Sequence, residues 1–160
     1  KSHDLLKSLS KNYYFCDMGK ILAIDYGMKR TGIAITDGSK IFATGLTTVA
    51  TNEIYVFLTQ LMKDEEIETI VVGKPMNLQN LPTDATKPSD TLAKKIGKLF
   101  PEIKVERVDE RFTSKLAKQA MFAGGMKKKD RRDKKMIDKI SATIILQSYL
   151  DSQSYSYLKE

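Results

Sequence analysis

A chain of 160 residues, 41% hydrophobic and 29% charged, is long enough for one domain with a real core and has no apolar run that could span a bilayer. One cysteine, Cys16, and one histidine, His3, exclude an internal disulfide and a thiolate zinc cluster and argue against histidine-based acid–base chemistry. The formal charge of +7 is uneven: Met126 to Lys139 carries eight basic residues against three acids, which reads either as a solvated loop or as a patch for phosphate backbones.

Residues 1–17 have weak periodicity and are read as an N-terminal extension without an assigned role. The patterned domain runs from Met18 to residue 151, and 152–160 is read as a tail. Lys20 to Asp25 and Arg30 to Thr36 read as strands, followed by an Asp37-Gly38 hairpin-type turn and a third strand over Ile41 to Val49. These three form an antiparallel meander. A helix is predicted over 52–65, with Ile54, Phe57, Leu58 and Leu61 at helical spacing and Thr51 or Asn52 as cap. The β-branched run Thr69 to Val72 fits a buried parallel strand, ended by Gly73-Lys74-Pro75. Met76 to Pro88 reads as a loop, Ser89 to Phe100 as a helix, and Lys104 to Val108 as a strand leading into Asp109-Glu110-Arg111. Thr113 or Ser114 caps a helix that stops at Gly124-Gly125. The last helix covers 134–150, with Ile137, Ile140, Ile144 and Ile145 along one face. The order βββαβαβαα specifies an α/β fold with a mixed five-stranded sheet, the meander plus two parallel strands, flanked by helices.

Three acids stand out. Asp25 ends the first strand and Glu110 follows the last, and in α/β sheets sites form at the carboxyl ends of strands. Asp138 lies near the start of the last helix, on one stripe with Ser141, Ala142 and Ile145, so small residues let that helix come close to the sheet. Taken singly, Asp25 is equally a turn residue, Glu110 a surface charge and Asp138 a partner of Lys134 or Lys135. Taken together, three carboxylates without histidine or cysteine select Mg²⁺ or Mn²⁺, ions that activate water and stabilise the leaving oxygen in phosphodiester hydrolysis. Gly27, just past Asp25, leaves room for a backbone or a phosphate.

The stretches AIDYGMKRTGIAITD, VVGKPMN, VDERFTS and DKISATIILQSYL resemble, in this order, the motifs of the YqgF family, also called pre-16S rRNA nucleases or RuvX-type Holliday-junction-resolvase homologues. The resemblance covers about Met18 to Leu150. It implies a ribonuclease H-like fold, a bacterial cytoplasmic protein, and nuclease action near the 5′ end of immature 16S ribosomal RNA. By motif, Asp25, Glu110 and Asp138 take the family's acidic positions as catalytic and metal-binding residues. A further acid found in some related resolvases is Ser141 here. Lys74, Arg111, Thr113 and Arg30 fall at matched positions that suit phosphate contact. For these the plainer readings are a strand-end lysine, an orienter of Glu110, a helix cap and a turn residue. Lys127, Lys128, Lys129, Arg131 and Arg132 are the residues expected to hold the nucleic-acid strand.

Three other readings compete. A phosphotransferase of the actin-like superfamily needs a second lobe that 160 residues do not provide, and no phosphate loop of the G-x-x-x-x-G-K-[ST] kind is present. A non-catalytic nucleic-acid-binding module is supported by the basic segment but not by three acids that repel phosphate. A nuclease acting on branched DNA, the four-way junction, requires two sites and hence a homodimer, where an RNA nuclease works as a monomer or a homodimer. Tyr149, Tyr155 and Tyr157 are candidates for a dimer surface, with core packing for Tyr149 and a frayed tail for the other two as the plainer alternatives.

Overall fold

The computed structural model describes residues 19–77, 79, 81–110 and 113–157. The expected extension over 1–17, Arg111, and the side chains of Thr113, Ser114, Tyr155 and Tyr157 lie outside the described residues. The strands are β1 (Lys20–Tyr26), β2 (Arg30–Thr36), β3 (Ala43–Ala50), β4 (Ile67–Lys74) and β5 (Lys104–Asp109). They form one sheet in the order β3-β2-β1-β4-β5. The β1–β2 and β2–β3 pairs are antiparallel, and the β1–β4 and β4–β5 pairs are parallel. The first strand is therefore central, as the meander reading requires. The helices are α1 (Ile54–Asp64), α2 (Thr86–Leu99), α3 (Thr113–Ala123) and α4 (Lys134–Tyr157). None of the described helices is long and apolar enough to cross a membrane.

The two faces of the sheet bury different residues, because successive strand side chains alternate. Leu22 and Ile24 of β1, Ile33 of β2, and Ile70 and Val72 of β4 pack with Ile54 and Leu58 of α1 and Leu92 and Ile96 of α2. The alternate set, Ile21, Ala23, Ala34 and Val71, packs with Ala142, Ile145, Leu146, Tyr149 and Leu150 of α4. Asp25, Gly32 and Gly73 continue this second set toward one end of the sheet. Tyr149 is thus a core residue.

The second face is built for close approach. A Cβ on Gly32 would collide with the Asp138 carbonyl group, so only glycine lets α4 cross β2 at this point. Gly45 is similarly filled by the Lys139 stem and the Thr143 hydroxyl. We expect Gly32→Ala to cost about 3 kcal/mol or more, because the clash is with helix backbone and not with a movable side-chain tip. For a chain of this size that lowers Tm by about 6–12 °C, measurable by thermal unfolding. An unchanged Tm would mean that α4 does not lie against Gly32.

Several boundaries differ from the sequence expectation, each for a local reason. Asp37 and Gly38 open the turn between β2 and β3 as expected, with the Lys40 N–H donating to the Asp37 carbonyl at 3.1 Å, but the third strand starts at Ala43 and not at Ile41. The β2–β3 loop runs over 37–42, and the Asp37 carboxylate accepts N–H bonds from Ser39, Ile41 and Phe42. Those bonds hold its carboxyl below the usual range. Thr51 does not cap α1; its hydroxyl donates to the Gly27 carbonyl at 2.6 Å and bonds Thr31 Oγ1 at 2.9 Å, tying the β1–β2 turn to the start of the helix. α2 begins at Thr86, before the expected Ser89. Pro88 is tolerated in the first turn, where its missing N–H has no helical partner to lose. Ser89 Oγ instead donates to the Gly73 carbonyl at 2.8 Å. α4 continues to Tyr157, well beyond Leu150. Its sheet-facing stripe is Ser141-Ala142, Ile145-Leu146 and Tyr149-Leu150. Ile137, Ile140 and Ile144 are only half-buried.

Candidate active site

Asp25 is the last α4-facing position of β1, paired across the antiparallel ladder with Gly32. Glu110 follows β5 directly, and its N–H extends the parallel pairing by donating to the Lys74 carbonyl at 3.4 Å. Val108 of β5 packs on the α4 side, and Glu110, two residues on, shares that side. Between the two acids lies Gly73, whose missing side chain is the space the Glu110 carboxyl occupies. The carboxyls of Asp25 and Glu110 are hydrogen-bonded to each other.

Both acids are half-buried, and burial is the main reason that neither ionises readily. Burial, together with the facing Asp25 and its hydrogen bond, pushes Glu110 up from 4.5 to about 9. Arg107 offsets part of this. Burial and the nearby Asp138 raise Asp25 from 3.8 to about 6, and the hydrogen bond from Glu110 opposes the rise. At neutral pH the two carboxyls therefore share a proton in the hydrogen bond between them.

Asp138 does not pair with Lys134 or Lys135. Its Oδ2 accepts from Arg30 Nε at 2.9 Å. Arg30 shares the strand face of Gly32 and Ala34 and so reaches α4 across the sheet. Arg30 is thus the ion-pair partner of the third acid. As the side chains stand, no group of three acids, histidines or cysteines among the described residues is close enough to enclose a metal ion. The two strand acids touch, and the helix acid acts on Asp25 across space.

The other predicted residues are more dispersed. Lys74 is exposed at the end of β4, in register with Asp109. Lys127, Lys128, Lys129 and Arg132 are exposed on the turn before α4, and Arg131 is half-buried there with its guanidinium 3.8 Å from the centre of the Phe122 ring. A Cβ on Gly27 would strike the Arg30 carbonyl, so the close approach that this glycine allows is that of the chain's own backbone.

Residues 19–152 match the family model described as RuvX, Holliday junction resolvase. A protein of Christiangramia forsetii is 52% identical over 83% of this chain and 98% of its own length, and one of Phocaeicola vulgatus is 51% identical over 86% and 99%. Both carry the name "Putative pre-16S rRNA nuclease". The chain belongs to the RuvX family. Thermus thermophilus RuvC, in complex with a Holliday junction substrate, superposes with a TM-score of 0.53 at 14% identity over 85% of this chain and 96% of that one. A second T. thermophilus RuvC structure gives a TM-score of 0.51. At that identity the likeness concerns the fold, which is the ribonuclease H-like one.

Two residues of this RuvX-family chain were not singled out by sequence as site residues. Gly73 looked like a strand terminator. The available signal was a glycine closing an otherwise β-branched parallel strand, which marks close approach of another group. Arg107 of β5 bonds the Ser89 carbonyl at 3.3 Å and Asp90 at 2.9 Å, and its charge also acts on Glu110. Burial lowers its own pKa. Its signal was a cation inside a predicted strand.

The Asp25–Glu110 pair makes stability depend on pH. A carboxyl whose folded pKa lies above its unfolded value contributes stability that is whole below the unfolded pKa and is lost as pH rises through the folded one. For Glu110 that window runs from 4.5 to about 9. The metal-free chain should lose roughly 2 kcal/mol or more between pH 5 and 9, about 4–8 °C in Tm. Glu110→Gln should flatten most of that slope. Parallel pH profiles for the two proteins would refute the buried pair.

Proposed function

We propose that this protein is a divalent-metal-dependent nuclease that hydrolyses phosphodiester bonds, with precursor 16S ribosomal RNA near its 5′ end as substrate and the cytoplasm as its place of action. The observation that carries this reading is the hydrogen-bonded pair of half-buried carboxyls, Asp25 and Glu110, at the carboxyl edge of the sheet, with Asp138 acting on it from α4. Burying two like acids is unfavourable on its own, and their raised pKa values are the physical sign of that cost. An all-oxygen donor set of this kind fits a hard cation, Mg²⁺ or Mn²⁺. Asp25, Glu110 and Asp138 would hold it, and such an ion supplies Lewis-acid stabilisation of the charge that builds on the phosphate.

The chain's own groups divide the remaining work. The carboxyl pair gives up its shared proton when it acts as a ligand, so activity should rise with pH through the neutral range. Arg30 positions Asp138 and presents the rest of its guanidinium to a non-bridging phosphate oxygen. Arg107, anchored on α2, supports Glu110 from behind. The basic turn before α4 holds the strand through its backbone phosphates, without reading bases. The names of the RuvX relatives favour the ribosomal substrate, and the family's own description favours a four-way DNA junction.

A labelled precursor 16S 5′-end RNA and a labelled four-way DNA junction, each incubated with the native chain in Mn²⁺ and in chelator, test the reading. We expect metal-dependent cutting of the RNA. Cutting of the junction alone would replace the substrate with branched DNA. Binding of either without cutting would replace the nuclease with a binding module.

A further inference from the structure

Where α3 ends and the basic turn begins, Lys118, Met121, Phe122, Lys128, Arg131 and Arg132 line an open cavity of about 260 Å³. Its floor is apolar. Met121 is buried beneath it, whereas Phe122 is 65% exposed. The Arg131 guanidinium lies over the ring at 3.8 Å from its centre, which fixes the ring's orientation and adds charge beside it. Three further cations stand on the rim. α3 closes here in a glycine cap, with Gly125 at φ 67° and the Met126 N–H donating to the Met121 carbonyl, so the backbone under the cavity is held by hydrogen bonds.

An exposed flat ring among four cations complements a ligand that is both flat and anionic. We infer that Phe122 is a stacking platform for one unpaired base of a single-stranded nucleic acid, with Arg131 orienting the ring and Lys118, Lys128 and Arg132 on the flanking phosphates. Phosphate contacts alone would grip duplex and single strand alike, whereas a base reaches the ring only when it is unstacked. The chain passes from Arg132 directly into α4, whose second turn carries Asp138, so a strand held at Phe122 is led toward the acids. This inference rests on the nucleic-acid part of the proposed function and not on the hydrolysis.

The test uses the full chain in chelator, with a short RNA carrying aminopurine, offered as a single strand and as a duplex. Phe122→Ala should weaken single-strand binding about tenfold, the scale of one lost base stack, and abolish the quenching of aminopurine fluorescence. Its salt dependence should not change, because no cation is removed. Duplex binding should stay within about twofold, and Phe122→Tyr should restore the native behaviour. Equal single-strand affinity in native and Phe122→Ala chains would overturn the stacking role while leaving the nuclease reading intact. A native chain that binds no RNA at all would overturn both. Recruitment of the native chain to anionic phospholipid vesicles, lost in Phe122→Ala while RNA binding is unchanged, would reassign the patch to a lipid surface.

Discussion

Asp25→Asn is expected to lower metal-dependent cleavage by on the order of 10³-fold, the scale of removing one preorganised charge-stabilising group from a transition state. Binding of the nucleic acid should hold or tighten, because one negative charge facing a polyanion is gone. The metal-free fold should be as stable as the native one or more so. Burial already raises Asp25 to about 6, and its neutral isostere escapes that penalty while still accepting a hydrogen bond from Glu110. The three readouts separate the rival accounts. A binding module would show the affinity change without a change in turnover. A structural acid would show a fall in stability.

Gly73→Ala is expected to lower cleavage about 10²-fold with little effect on folding, since misplacing a reacting group by about 1 Å carries a cost of that size. The added methyl would occupy the place of Glu110 Oε2 and stand 3.0 Å from Ile145 Cδ1. The tip of Glu110 can swing aside, so the strand need not move, but the carboxyl leaves its position against Asp25. The contrast with Gly32 is instructive, because there the obstacle is the backbone of α4 and the loss falls on stability. Gly97→Ala is the control. It sits inside α2 with only Val105 Cγ2 near, at 3.8 Å, and should be neutral or stabilise by about 0.5–1 kcal/mol. Cleavage by Gly73→Ala at the native rate would mean that the Glu110 carboxyl does not work from the space over Gly73.

The strands were legible as apolar or β-branched stretches bounded by turn residues. The meander leaves β1 with a free edge on which a parallel strand can add, which makes it the central strand of five, whereas the order of β4 and β5 beyond it is set only by the assembled sheet. Asp25 and Glu110 were legible as strand-end acids on one rim. The third strand was read as starting too early, at Ile41, because the Asp37 side chain takes the backbone N–H groups of Ser39, Ile41 and Phe42, a local competitor that apolar patterning does not weigh. Thr51 was misread as a cap because its hydroxyl is used across the sheet edge, a long-range partner that spacing cannot reveal. The pairing of Asp138 with Arg30 depends on α4 crossing β2 at Gly32, 106 positions earlier in the chain, so only the assembled fold brings them together. Gly73 belongs with them: its role is defined by a side chain from the neighbouring strand.

The central claim is that Asp25, with Glu110 and Asp138, forms one cation site. Thermal unfolding of the native chain and of Asp25→Asn at pH 8, with and without Mn²⁺, tests it without any substrate. Mn²⁺ at about 100 times its dissociation constant should stabilise the native chain by about 2.7 kcal/mol, roughly 5–10 °C in Tm, and should leave Asp25→Asn nearly unchanged. An equal rise in both proteins would place the ion elsewhere and contradict the account.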